Sequence, residues 1–136
     1  MRISAKAEYA CLAVIELARS GANGTPRRVR DIAEAQGIPE RYLVQILLQL
    51  KAAGLVQSVR GSEGGYHLLC RADQISVADI VRAIDGPGDF TCRSSSPEAK
   101  ELRELLTRAG TAERDVLASA TIAQFIRPEL TREWVI

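Results

Sequence analysis

The chain of 136 residues holds one histidine, His67, and three cysteines, Cys11, Cys70 and Cys92. A single imidazole excludes a His-rich zinc site or a two-His relay. No nucleophile–base arrangement stands beside it, so nothing in the sequence carries enzymatic chemistry. Three cysteines without a paired pattern argue against a disulfide framework and point to a reducing cytoplasm. The residues with usable chemistry are of another kind. Arg41, Tyr42 and Gln45 sit on the polar side of an apolar stripe. Gln can bond adenine through two contacts and Arg can do so with guanine, while Tyr reaches phosphate or a thymine methyl. Arg60 adjoins Gly61-Ser62-Glu63-Gly64-Gly65-Tyr66, where the cation supplies charge and the glycines permit positive φ and close backbone approach. Arg2, Arg28 and Arg30 are further cations able to meet phosphates. The competing readings are a solvated helix face and a hairpin that only completes a core.

The elements that must position these groups follow from periodicity. Residues 3–19 contain neither Pro nor Gly, with Ser4 as cap. Their apolar residues lie on more than one side, which predicts a helix buried on more than one side. Residues 29–36 predict a short helix stopped by Gly37. Pro39 opens a second helix over 39–53, with Leu43, Ile46, Leu47 and Leu50 inward and Arg41, Tyr42, Gln45 and Gln49 largely outward. Two helices joined by a short Gly-containing turn outline a helix-turn-helix. Leu55–Arg60 and Tyr66–Leu69 are β-like runs around the glycine cluster, and read as a hairpin. A helix-turn-helix followed by a basic hairpin is a winged helix. Ser76 and Asp79 form a capping box for a helix over 77–85.

Residues 86–96 form a loop containing Cys92. Pro97 begins a long helix to about residue 119, continuing through Gly110, although a split at Gly110-Thr111 stays open. Its stripe of Leu102, Leu105, Leu106, Ala109, Ala112, Val116 and Ala120 has too little of its own chain to cover it, and dimerisation is the natural use. Thr121 is the expected cap of a last short turn. The fold expected is thus mainly α with a small β-hairpin wing: a DNA-binding domain over 1–86, then an effector loop and dimerisation helix over 87–136.

Composition agrees with a globular chain, 46% hydrophobic and 26% charged. No apolar run approaches the ~20 residues of a membrane span, and no cleavable signal is expected before the first helix. The net charge of +1 hides an asymmetry: residues 1–60 carry nine Lys and Arg against five Asp and Glu, and residues 61–136 carry nine against twelve. A basic front half is compatible with a phosphate-rich partner.

Taken in order, several segments resemble the Rrf2-type bacterial transcription regulators over nearly the whole chain. They are Met1-Arg2-Ile3-Ser4-Ala5-Lys6-Ala7-Glu8-Tyr9-Ala10, Val29-Arg30-Asp31-Ile32-Ala33-Glu34, Gly37-Ile38-Pro39, Arg41-Tyr42-Leu43-Val44-Gln45-Ile46-Leu47, Gly54-Leu55-Val56 and Val59-Arg60-Gly61-Ser62-Glu63-Gly64-Gly65-Tyr66. The resemblance implies a cytoplasmic homodimer with two winged heads joined by crossed long helices. It implies a repressor of two-half-site operators, with the wing in the minor groove beside the recognition helix. Arg2, Arg28, Arg41, Tyr42, Gln45, Arg60, Gly64, Gly65 and Tyr66 are the expected DNA contacts. The family commonly has Glu where this chain has Val44, so an operator preference does not carry over. In its iron–sulfur members a loop cysteine is followed closely by two others, and none follows Cys92 here. No cofactor is therefore expected. The alternative implied by the family is an iron–sulfur or redox sensor in which Glu8, Cys11 and Cys92 meet across the dimer, with Cys92 beside Arg93 a candidate reactive thiol. Control by a docking protein or small-molecule effector is the other alternative.

Overall fold

The structure, a computed structural model, describes residues 3–20, 24–87 and 93–126. Helix α1, Ala5–Ala18, is capped by Ser4, whose hydroxyl accepts from the Ala7 N–H at 3.0 Å. Its second half is enclosed: Ala13, Val14, Ile15, Glu16, Leu17 and Ala18 are all buried. This is the burial on several sides that its unbroken apolar sequence predicts.

Helix α2, Val29–Gln36, ends where Gly37 takes a left-handed conformation, and α3, Glu40–Ala52, follows directly. Leu43, Ile46, Leu47 and Leu50 are fully buried, one apolar stripe at helical spacing. Gln49, expected on the outer face, is instead half-buried, with Oε1 lacking a hydrogen-bond partner. Strands β1, Val56–Val59, and β2, Gly65–Leu68, pair antiparallel with Val56 opposite Leu68 and Val59 opposite Gly65. Val56 and Leu68 fill the core while the turn reaches outward.

After a 3₁₀ turn over Ala72–Gln74 comes α4, Val77–Asp85, started by the predicted capping box of Ser76 and Asp79. Its far end is tied back to the beginning of α1: the Ser4 N–H donates to Asp85 Oδ2 at 3.0 Å. Helix α5, Pro97–Ser119, runs unbroken through Gly110, which settles the one-helix alternative. Ser96 caps it, and Pro97 occupies the first turn, where its missing N–H costs nothing.

A second 3₁₀ turn, Ile122–Phe125, follows. Thr121 does not cap it through its side chain, contrary to expectation. Main-chain bonds hold the segment instead: the Val77 N–H donates to the Ala120 carbonyl and the Ile122 N–H to the Ile75 carbonyl, both at 2.9 Å. Ile122 is fully buried beside Ile75 and Ile80 in the same core as α1 and α3. A domain boundary at residue 86 therefore separates Ile122 from the core it fills. By contrast α5 has no buried side chain, and Leu102, Leu105 and Val116 are 53%, 56% and 67% exposed. No helix among the described residues is long and apolar enough to cross a membrane.

Candidate nucleic-acid interface

The stripe that buries Leu43, Ile46, Leu47 and Leu50 turns the opposite face of α3 outward. Arg41, Tyr42, Val44, Gln45 and Leu48 are exposed on it. The Arg41 guanidinium lies over the Tyr42 ring, 5.7 Å from its centroid, a cation–π contact that restricts both side chains. Exposed Val44 and Leu48 add apolar surface to a face that the sequence marks as polar, and such surface suits thymine methyls. At the far end of α3, Lys51 Nζ donates to Ser58 Oγ at 2.9 Å, joining the helix to β1.

The hairpin presents Arg60, Ser62 and Glu63 on its exposed turn. Among the described residues Arg60 has no ion pair, so its charge is available to an external anion. The two expected contact glycines sit deeper. Gly64 is buried, and a Cβ there would stand 2.1 Å from the Val59 carbonyl oxygen. Gly65 has φ +150°, and a Cβ there would stand 2.2 Å from the Arg27 carbonyl oxygen. Both positions are thus restricted to glycine by the chain's own backbone. Tyr66 is half-buried against the core. Arg28 is exposed, and its Nη2 donates to the Ser62 carbonyl in the turn. Arg2 lies outside the described residues.

A group that periodicity does not mark supports this assembly from below. Glu16 is buried in α1, yet accepts from Gln36 Nε2 at 2.9 Å and from Arg27 Nη1 at 2.8 Å, with Arg19 Nε 3.5 Å away. Burial alone would raise its pKa. The hydrogen bonds from Gln36 and Arg27, with the charges of Arg27 and Arg19, outweigh burial and hold the carboxyl below its ordinary value. The sequence signal was a lone acid inside the apolar run Val14-Ile15-Glu16-Leu17-Ala18. Nothing in the spacing reveals that its partners lie 11 and 20 residues away.

An exposed helix face beside an antiparallel hairpin is the geometry of a winged helix-turn-helix, and comparison with known proteins agrees. Residues 3–128 match the family described as "Rrf2: Iron-dependent Transcriptional regulator". The chain belongs to the Rrf2 family of transcriptional regulators. The regulator CymR of Bacillus subtilis is 38% identical over 123 residues, covering 90% of this chain and 87% of its own. The structure of CymR, the global cysteine regulator of B. subtilis, superposes with a TM-score of 0.76 at 35% identity, covering 92% and 95% of the two chains. IscR of T. potens superposes at 0.71 with 34% identity, covering 92% and 85%. Two Mycobacterium tuberculosis relatives are 53% identical over 87 residues, 64% of this chain; the match spans about half their length, 53%. These Rrf2-type relatives are regulators of transcription rather than enzymes.

The Rrf2 family is described as iron-dependent, and iron needs clustered donor groups. Among the described residues no three His, Cys, Asp or Glu side chains stand together as a metal cage. Exposed Glu8 and half-buried Cys11 line one groove, whose other walls include Leu12, Val81 and Phe125. Burial first, then the charges of Glu8 and Asp85, push the Cys11 thiol up to about 11. Among the described residues one thiol and one carboxylate stand there, short of the about four protein ligands that hold a cluster. Cys70 is half-buried just past β2. Cys92, the remaining member of the expected set, lies outside the described residues.

Proposed function

We propose that this Rrf2 chain is a cytoplasmic, homodimeric, sequence-specific DNA-binding regulator, acting as a repressor on a two-half-site operator. The observation that carries the reading is the outward face of α3, where Arg41, Tyr42 and Gln45 stand exposed beside a hairpin bearing an exposed Arg60. In this reading α3 enters the major groove. Gln45 and Arg41 meet base edges, Tyr42 meets phosphate or a thymine methyl, and Val44 and Leu48 cover neighbouring methyls. Arg60 and Arg28 engage the sugar-phosphate wall alongside, while Gly64, Gly65 and Tyr66 shape the wing that carries Arg60 there.

The exposed Leu102, Leu105 and Val116 of α5 supply the surface for a second copy. A symmetric pair needs half-sites on one face of the duplex, about one helical turn apart. A signal arriving at the segment between α4 and α5 that holds Cys92, through its thiol, a small molecule or a docking protein, would alter head spacing through the long helices. The reading includes no resident cofactor. Protein purified without oxygen should carry less than about half an iron per dimer, because a stable cluster needs about four protein ligands.

Selection of bound duplexes from a random pool, followed by titration of variants, tests the proposal. Gln45→Ala should lose about 1–3 kcal/mol of discrimination between operator variants. Arg60→Ala should weaken binding to every sequence and lower the salt slope by about one. Equal, sequence-independent losses for both would show that α3 is not the reading face.

A further inference from the structure

Glu16 is the only buried charged residue among the described residues, 7% exposed. A carboxylate withdrawn from water is costly unless its lone pairs are filled, and this one is filled from different parts of the chain. Gln36, the last residue of α2, donates to Oε1, and Arg27 donates to Oε2. Thus the first helix of the helix-turn-helix is bonded to one oxygen. A segment outside every helix is bonded to the other.

That segment is where the hairpin is attached. The Arg27 N–H donates to the Tyr66 carbonyl and the Tyr66 N–H to the Arg27 carbonyl, both at 2.8 Å, so the Arg27 main chain lies beside β2 like a third strand. The next residue, Arg28, reaches the Ser62 carbonyl in the turn. Gly65, lacking a Cβ, lets β2 approach the Arg27 carbonyl. One attachment of the wing therefore passes through Arg27, beside the Lys51–Ser58 bond and the packing of Val56 and Leu68 in the core, and the side chain of Arg27 ends on Glu16.

We infer that Glu16 is a positioning residue for DNA binding, its two oxygens fixing the wing relative to the helix-turn-helix so that Arg60 and α3 meet one duplex together. The inference rests on the DNA-binding reading above. Glu16 touches no DNA itself. Its carboxylate can serve both donors at once, whereas an amide in its place offers one oxygen and opposes an N–H to the other donor.

Removing one partner of a buried ion pair leaves the other without its counter-charge, so Glu16→Met lowers stability whatever else Glu16 does. Affinities are therefore compared at a temperature where each variant is shown to be folded, and Glu16→Gln, which keeps one oxygen for a donor, provides a second variant if Met disturbs folding. The full chain is titrated with a duplex selected by the wild type. Glu16→Met and Glu16→Gln should unfold cooperatively, yet bind about tenfold more weakly, the size expected for a lost hydrogen bond to a charged group. Adding Arg60→Ala to either should cost little beyond Arg60→Ala alone, because a mispositioned wing no longer uses Arg60. Adding Gln45→Ala should multiply the losses. The amides of Arg27 and Tyr66 should exchange hydrogen faster in both variants, while those of α3 keep their protection.

Wild-type affinity in a folded Glu16→Met protein would overturn the assignment. So would losses that multiply fully with Arg60→Ala, or unchanged protection at Arg27 and Tyr66. A wild type that binds no duplex in the pool would instead overturn the DNA-binding reading, and the inference with it.

Discussion

The carbonyl oxygen of Arg27 occupies the space where a side chain on Gly65 would begin. A Cβ there would lie 2.2 Å from that oxygen, and the φ of +150° at Gly65 is one that other residues rarely adopt. The contact joins the hairpin to the segment before α2, and it places the reciprocal Arg27–Tyr66 bonds next to the turn.

Gly65→Ala must therefore separate β2 from Arg27 or distort the turn. A loss of about 2 kcal/mol or more is expected from positive-φ strain together with the overlap. Urea unfolding of the two proteins measures it. Gly61→Ala provides the comparison: that residue also has positive φ, but a Cβ there meets nothing within 4 Å, so its loss should be smaller. Equal losses would mean that the Arg27 contact contributes nothing beyond backbone strain.

Leu105 is 56% exposed on α5, so within one chain it contributes little to the core. Leu105→Glu should leave the head folded and break the association of two copies. A charge buried unpaired between subunits costs several kcal/mol, roughly enough to shift a micromolar dimer to monomer. Light scattering at several concentrations reports it, with circular dichroism confirming the helices. A dimer of unchanged strength would place the interface elsewhere.

Cys11 should be a slow thiol. Burial, followed by the charges of Glu8 and Asp85, pushes its pKa from an ordinary 9.0 to about 11. At pH 8 about one molecule in a thousand would then be thiolate, roughly a hundredfold fewer than for the unperturbed group. Alkylation followed by peptide mass analysis should find Cys11 modified far more slowly than a free thiol. Glu8→Gln should speed it only modestly, because burial is the larger cause.

Glu16 predicts the acid limb of stability. Its folded pKa lies below the ordinary 4.5, so the unfolded chain takes up the proton first as pH falls. The stabilisation is complete above about 4.5 and drains away as pH drops through the lower folded value. Comparing wild type with Glu16→Gln in urea at pH 7, 4.5 and 3, the gap between the two should narrow toward acid, where a protonated Glu resembles Gln. A constant gap would show that the charge on Glu16 does not contribute.

Much of this arrangement is legible in the sequence because helical periodicity reports which face of an element is buried. Leu43, Ile46, Leu47 and Leu50 leave Arg41, Tyr42 and Gln45 no place but the surface, and the capping box at Ser76 and Asp79 starts α4 where its pattern indicates. Periodicity is silent about which element covers a face. The partners of Glu16 are therefore hidden, and attention falls on Arg28 and Arg30 while Arg27 carries the contact. Thr121 looks like a cap by residue type, yet the main chain of its neighbours, paired with Ile75 and Val77, secures that turn. Gly64 and Gly65 read as residues that let the backbone come close to a partner, and in the structure the carbonyls of Val59 and Arg27 stand at the places their side chains would take.

The return of residues 120–126 to the core gives α5 one fixed end and one outlying end. Ala120 is bonded to Val77 at the start of α4 and Ile122 to Ile75 just before it, and Glu113, Arg114 and Leu117 line a cleft with Ala78 and Arg82, so the last turns of α5 are seated on the head. The four turns before them, with Leu102 and Leu105 exposed, extend for about 24 Å at the usual rise per residue. Such a rod magnifies small rotations. A tilt of about 10° at the seat carries its far end about 4 Å, slightly more than one base-pair step. In the proposed dimer, a slight change in the packing of Val77 or Ile122 would be read out as a mismatch in operator spacing.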